Sequence, residues 1–199
     1  MKGRPRAPDA STPIDAERII SWVRDQAFDL FQTQRLLCAE AVVLTLNKGF
    51  HGGLTEEQAI NMASPLCEGL GASGCLCGAI SGALMACGLL LPKTSTRGRR
   101  KRARKIASRI HNLFKETYGS TCCRVLTRKV KGSKKAHMEH CATITAFAAE
   151  NAARIIIEEN PVLIERAACQ GAVYRTRGKK SAPSSLLAKL SQVLSFRSP

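Results

Sequence analysis

Cysteine is the residue type that offers this chain most of its chemistry. Four of the nine cysteines stand in distinctive local sequences, and each falls on a separate predicted helix: Cys38, Cys77, Cys123 and Cys141. Residues 1–11 are basic and polar with no apolar stretch after them, so we expect no secretory signal and a cytoplasmic protein. Clustered thiols in that compartment favour redox or metal chemistry over structural disulfides.

Two of these thiols are predicted to lie at helix N-termini. Cys77 falls in the first turn of a helix predicted over residues 75–91, and Cys123 is followed directly by Arg124. The positive end of a helix dipole and a neighbouring cation both favour thiolate. The sequence therefore predicts that the pKa values of Cys77 and Cys123 are lowered.

Nearby residues offer further ligands for a soft metal, and the candidates are Cys75, Cys122 and His140. The chain has no Cys-x-x-Cys motif, which argues against a zinc ribbon, a thioredoxin-type dithiol and covalent haem. Walker loops, dinucleotide fingerprints and nucleophile elbows are absent as well. No residue is therefore assigned a catalytic role.

The cysteines and the glycines between them also carry a resemblance. In order, the chain reads Leu-Cys38-Ala-Glu-Ala-Val, Cys77-Gly-Ala-Ile-Ser-Gly-Ala-Leu-Met-Ala, Tyr-Gly-Ser-Thr-Cys-Cys123-Arg-Val-Leu and His-Cys141. From residue 28 to residue 158 this order is similar to the small prokaryotic family of redox-active proteins with a CGAxxG motif and four cysteines (C_GCAxxG_C_C type). The resemblance implies a small helical redox protein with those four cysteines as its functional residues and Gly78 and Gly82 as motif glycines.

Two forms of redox chemistry are open to four cysteines that converge in a fold. Four thiolates can bind a [2Fe–2S] or [4Fe–4S] cluster, which would make the chain a metal-binding electron carrier. Two thiols whose Cα atoms approach within about 7 Å can form a reversible disulfide instead. Either form requires a redox partner, which the sequence does not identify.

Apolar periodicity predicts an all-α fold, a compact bundle of five to seven helices. After a first helix that contains Ile19 and Val23, helices are expected over residues 34–47, 55–64, 75–91, 99–118, 122–128 and 134–159. The longest uncharged run, residues 75–91, is shorter than the roughly 20 residues that span a bilayer, so no transmembrane segment is expected. We expect a basic, disordered N-terminus over residues 1–12, one helical domain over 13–170 and a flexible, basic, Ser-rich tail over 171–199.

The formal charge of +16 is concentrated in one part of the chain. Residues 93–135 hold sixteen basic residues and one acidic residue, and the densest stretch is 97–105. An alternative function is therefore binding of nucleic acid or another anionic surface through this segment. The predicted polyanion-binding residues are Arg99, Arg100, Lys101, Arg102, Arg104 and Lys105.

A second alternative is suggested by the glycines of the helix predicted over residues 75–91. Gly78 and Gly82 are four residues apart, so they form a smooth row on one face. Each glycine costs a helix about 1 kcal/mol relative to alanine, which implies a specific close contact. That contact could be with another subunit, in a scaffold protein or a homo-oligomer.

Overall fold

The computed structural model describes residues 16–92 and 95–169, and its all-α architecture confirms the predicted class. The helices are α1 (Ala16–Gln32), α2 (Cys38–Gly49), α3 (Glu56–Ala63), a 3₁₀ turn (Ser64–Leu66), α4 (Cys67–Leu70), α5 (Gly78–Leu90), α6 (Thr96–Tyr118), α7 (Cys123–Thr127), α8 (Lys134–Glu159) and α9 (Val162–Cys169). Within these ranges, no helix is both long enough and apolar enough to cross a bilayer. The N-terminus and tail that we predicted to be disordered lie outside the described residues.

The core of the bundle is formed around α2 and α8. Helix α2 is buried on almost every side, and α8 packs against α1, α2 and α5. The buried residues of α1 recur at helical spacing and face α8: Ile19, Ile20, Val23, Ala27 and Phe31. Since α8 contributes mainly alanine and isoleucine to the core, its neighbours approach it closely.

Two glycines allow α5 to pack directly on α2. A Cβ at Gly82 would lie 2.9 Å from the backbone oxygen of Ala39, and one at Gly78 would lie 2.8 Å from that of Leu66. Both distances are too short for a real Cβ, so these positions require glycine. The prediction that this row docks another subunit is wrong for Gly78 and Gly82, because segments of the same chain cover both.

Two helices near the cysteines begin later than the sequence predicts. Helix α2 begins at Cys38, because Gln34 has a φ of 56° and the Glu40 carboxylate accepts a hydrogen bond from the Leu37 N–H at the helix start. Helix α5 begins at Gly78, because the preceding residues are extended and Leu76 forms an isolated antiparallel bridge with Cys122. The bounds predicted for α8 are confirmed.

Candidate redox site

The site lies where the segment 67–77 meets the start of α7. The Cys123 N–H donates to the Cys75 carbonyl at 2.6 Å, and the Arg124 N–H donates to the Gly74 carbonyl at 3.0 Å. In return, the Cys77 N–H donates to the Thr121 carbonyl at 2.9 Å. These backbone bonds hold Cys77 and Cys123 next to each other even though they are far apart in sequence.

The segment 67–77 needs an unusual backbone to reach α7. Gly69 has a φ of +75°, and a Cβ there would lie 2.7 Å from both the Cβ of Cys123 and the backbone N of Cys75. Glu68, Leu70 and Ala72 also adopt left-handed conformations, with φ of 55°, 65° and 64°. Non-glycine residues pay roughly 1–2 kcal/mol each for this conformation, and such strain is commonly concentrated at functional sites.

Three of the four predicted cysteines form one group, which we call the thiol trio: Cys77, Cys123 and Cys141. Cys77 caps α5, Cys123 is the first residue of α7, and Cys141 lies in the second turn of α8. Burial raises the pKa of Cys77 to about 11, and the charge of a Cys123 thiolate adds to this rise. Burial likewise raises the pKa of Cys141 to about 12, with further contributions from Cys77 and Cys123. The three sulfurs are therefore close enough to influence one another's ionisation.

The predicted lowering of the pKa values is wrong for both Cys77 and Cys123. The amides of Ala79 and Ile80 at the start of α5 do lower the pKa of Cys77, but its burial outweighs them. The pKa of Cys123 is raised by burial, then by Cys122 and by Glu68.

The start of α7 explains why Cys123 gains nothing from its helix. The first amides of α7 already donate to the carbonyls of Gly74 and Cys75, so they do not solvate a thiolate. The Arg124 guanidinium points elsewhere, because it donates to the Ser73 carbonyl at 2.9 Å. A helix N-terminus lowers a thiol pKa only where its first backbone N–H groups are available to donate to the sulfur.

Aromatic side chains from α6 and α8 pack beside the trio. The Phe114, Tyr118 and Phe147 rings lie in mutual contact, with centroid separations of 5.7, 5.3 and 5.2 Å. Burial raises the pKa of the Tyr118 hydroxyl, and the charge of a Cys77 thiolate raises it further. These three rings exclude water from the trio, which explains why burial is the largest cause of its raised pKa values.

The fourth predicted cysteine, Cys38, lies at the start of α2 and packs against Gly78. Its Sγ is 2.5 Å from the point that a Cβ of Gly78 would occupy, and its thiol partner is Cys67. The side-chain hydrogen bond with Cys38, followed by burial, holds the pKa of Cys67 far above its usual range. The sequence analysis did not single out Cys67. Its one sequence signal is its position just before the glycine-rich stretch at residues 69–74.

Of the three additional ligand candidates, Cys122 influences a trio thiol, because its charge raises the pKa of Cys123. Cys75 is exposed, and the Cys122 thiol donates to the Gly74 carbonyl at 3.2 Å. His140 places its Nε2 3.0 Å from the Leu126 carbonyl, and burial lowers the pKa of its imidazole. In the part of the chain that the structure describes, no three His, Cys, Asp or Glu side chains are grouped to hold a metal ion. As placed, these side chains do not form a site for a single metal ion.

The predicted polyanion-binding residues lie on α6, and five of the six are exposed: Arg99, Arg100, Lys101, Arg104 and Lys105. Arg102 is less exposed than the other five. This residue lies on the helix face that carries Ile106 into the core, and its Nε lies 3.3 Å from a Glu159 carboxylate oxygen on α8.

Comparison with known proteins identifies one family. Residues 36–155 match the family model described as "Putative redox-active protein (C_GCAxxG_C_C)". The matched range covers more than half of the chain, contains all four predicted cysteines and also includes Cys67. No curated protein and no solved structure matches the chain significantly.

Proposed function

The chain belongs to this family of redox-active proteins, and from that premise we propose that it is a thiol–disulfide redox protein whose couple is drawn from the trio Cys77, Cys123 and Cys141. The observation that carries the proposal is the backbone pairing of residues 75–77 with residues 121–123, which places Cys77 beside Cys123. The charges of the Cys77 and Cys123 thiolates also raise the pKa of Cys141. The three cysteines come from three separate helices, so the fold itself creates their proximity. A reversible disulfide needs only two such thiols within reach of each other.

The burial of the trio indicates the order of events. Cys77 is buried, whereas Cys123 is half-buried and is followed by two exposed residues, Arg124 and Val125. Cys123 is therefore the thiol that meets a disulfide substrate. Its thiolate attacks one substrate sulfur and releases a thiolate, and a second trio cysteine then displaces the other substrate sulfur. Two electrons pass to the substrate, and the two thiol protons end on the two released thiols.

The raised pKa values determine the resting form of the couple. Thiolate is the nucleophile in disulfide exchange, so thiols with pKa values near 11 or 12 are almost entirely protonated at neutral pH. The reduced trio is therefore slow to react with small oxidants. This property suits exchange with a docked protein disulfide better than peroxide scavenging.

The iron–sulfur form of the function stays a prediction. Cys38 packs together with Cys67 against Gly78, so a cluster held by all four thiolates would have to draw Cys38 from that contact. Anaerobic purification followed by iron and acid-labile sulfide assays measures this directly. A coloured protein with stoichiometric iron and sulfide would replace the thiol–disulfide proposal.

Disulfide mapping tests the proposal itself. The full chain is incubated with excess oxidised glutathione for many hours at pH 8.5, which allows for the low thiolate fraction of the trio. It is then blocked with N-ethylmaleimide and digested with trypsin and Glu-C. Peptides 69–93, 117–124 and 140–150 then separate the three trio cysteines. We expect a disulfide between two of these peptides that dithiothreitol removes. Three fully alkylated peptides would contradict the proposal.

Two matched variants assign the sulfurs in that experiment. Peptide 69–93 also contains Cys75 and Cys87, and peptide 117–124 also contains Cys122. Cys75→Ser/Cys87→Ala and Cys122→Ser remove these other thiols, and the disulfide should persist in both variants. Cys123→Ser should abolish or greatly slow its formation, because Cys123 is the proposed first nucleophile. Persistence at the wild-type rate in Cys123→Ser would remove that residue from the couple.

A second function is favoured by the surface of α6. Four basic residues in its first turns, together with Thr96, line one shallow groove: Arg97, Arg100, Lys101 and Arg104. Their exposure and spacing suit a phosphate backbone, which is bound mainly by electrostatic attraction. This function could coexist with the redox couple, because the groove and the trio involve different residues.

Salt-dependent binding of a labelled DNA duplex tests the second function. Arg100→Gln/Arg104→Gln should weaken binding at low salt about tenfold or more and reduce the salt slope by roughly 2, since each phosphate contact contributes about 0.9. Lys115→Gln/Arg128→Gln removes the same charge from other exposed positions and should have a smaller effect. If the two double variants weakened binding equally, binding would depend on net charge and not on the groove.

A further inference from the structure

A second pair of cysteines lies in contact outside the thiol trio. Cys38 and Cys67 both lie against Gly78, and both pack in the small apolar cluster between α2 and α3. The proximity of Cys38 also raises the pKa of Cys67. The Cys67 sulfur also lies 3.8 Å from the Ala63 carbonyl. Cys67 is not one of the four cysteines that carry the family resemblance, so one cysteine of the family pattern has a partner outside that pattern.

A polar anchor holds the segments that carry this pair. The Glu40 carboxylate accepts hydrogen bonds from the Leu37 N–H at 2.8 Å and from the Ser64 hydroxyl at 2.7 Å. The first residue of the pair follows Leu37, and the second follows Ser64 by three positions. The contact between the two sulfurs is therefore set by bonded neighbours on both sides.

Gly78 limits where the two cysteines can go. The point that its Cβ would occupy is 2.5 Å from the Cys38 sulfur and 3.2 Å from the Cys67 Cα. Both cysteines thus press against the same backbone position of α5. The sulfur of Cys38 fills space that a side chain would take, which keeps it close to Cys67.

We propose that Cys38 and Cys67 form a second thiol–disulfide couple, separate from the trio. Cys38 is half-buried and Cys67 is 3 % exposed, so Cys38 reacts first. Its thiolate attacks a disulfide substrate of the oxidised-glutathione class and releases one thiolate. Cys67 then displaces the second substrate sulfur from the mixed disulfide. The pair loses two electrons and two protons, and the substrate leaves as two thiols.

This couple does not depend on oxidation of the trio. Its disulfide would link the start of α2 to the segment that leads into Cys77, next to Gly78. Formation of this disulfide would therefore restrict the movement of the segment before Cys77. The chain would then carry two couples formed by different cysteines.

Two short peptides make the test selective. Trypsin and Glu-C together cut after Arg35, Glu40, Glu57 and Glu68, so peptide 36–40 contains Cys38 as its one cysteine and peptide 58–68 contains Cys67 as its one cysteine. The full chain is oxidised with oxidised glutathione, blocked and digested. We expect a linked species of these two peptides that dithiothreitol dissociates.

Two variants complete the test. Cys67→Ala should abolish the linked species and leave Cys38 as a stable mixed disulfide with glutathione. Cys87→Ala removes another buried thiol, one whose pKa is raised by burial alone, and should retain the link. If Cys67→Ala does not fold, the wild-type map decides by itself.

Several outcomes would overturn the second couple. Cys38 linked to a trio peptide, or free thiols at Cys38 and Cys67 after prolonged oxidation, would each do so. The peptides 117–124 and 140–150 report on the trio in the same digest. Failure of the trio couple and failure of this couple are therefore read from different species.

Discussion

The trio Cys77, Cys123 and Cys141 and the pair Cys38–Cys67 use helix N-termini in different ways. At the start of α7, the backbone amides are already bonded to the carbonyls of the segment 67–77. At the start of α2, the amides of Ala39 and Glu40 face the Cys67 sulfur and lower its pKa, although the Cys38 hydrogen bond outweighs them. Position at a helix start thus says little about a thiol until the partners of the amides and the depth of burial are known.

The largest effect is expected where the two groups of thiols meet. Gly78→Ala would place a methyl group 2.5 Å from the Cys38 sulfur and 2.8 Å from the Leu66 carbonyl oxygen. Either the Cys38 side chain or the Leu66 backbone must therefore move. We expect a loss of about 2–3 kcal/mol in the free energy of unfolding, measured by urea denaturation with dithiothreitol present. The same shift should slow formation of the Cys38–Cys67 disulfide.

Gly88→Ala is the matched control within α5. A Cβ at Gly88 meets nothing within 4 Å, and the residue is exposed. Better helix propensity should therefore stabilise this variant by up to about 1 kcal/mol. If Gly78→Ala were as stable as the wild type, the close packing of Cys38 and Leu66 against Gly78 would have no structural role.

The separation of the two groups could not be predicted from the sequence. Helical periodicity was enough to predict the all-α class and the bounds of α8, because the apolar positions of that helix repeat over 26 residues. The order of the four cysteines was enough to identify the family. The pairing of Cys38 with Cys67 depends on which segment covers Gly78, and that is decided by tertiary packing. The extended residues before α5 were missed for a similar reason, since their hydrogen-bond partners lie in residues 121–123.

The pH dependence of stability reports on the raised thiol pKa values. It can separate the effect of burial on them from the effect of neighbouring sulfurs. The pKa values of Cys77, Cys87 and Cys141 are raised to about 11, 12 and 12, whereas an unfolded thiol ionises near 8.5. Above about pH 8.5 the unfolded chain releases protons that the folded chain retains. Stability is therefore highest below that pH and should fall as the pH rises toward 11 and 12.

Single substitutions divide that decline between an isolated thiol and a trio thiol. Cys87→Ala should lower stability at pH 7 by creating a cavity, but should also flatten the decline by up to about 1.4 kcal/mol per pH unit. Cys141→Ala should flatten it as well, because the Cys141 thiol also stays protonated in the folded chain up to about pH 12. The measurement is urea denaturation between pH 7 and pH 10.5 in reducing buffer. A decline unchanged in both variants would mean that these thiols do not resist ionisation.

The smallest effect concerns the charge next to Cys123, studied in a Cys122→Ser background. Because the Arg124 guanidinium donates to the Ser73 carbonyl, Arg124→Gln should cost about 0.5–1 kcal/mol of stability and change the iodoacetamide rate at Cys123 less than twofold. Glu68→Gln should increase that rate, because the Glu68 carboxylate raises the Cys123 pKa. Arg128→Gln, an exposed position, controls for loss of positive charge. A tenfold slower reaction in Arg124→Gln alone would show that the guanidinium stabilises the thiolate, and α7 would then resemble the start of α2, where the sulfur is near groups that favour its ionised form.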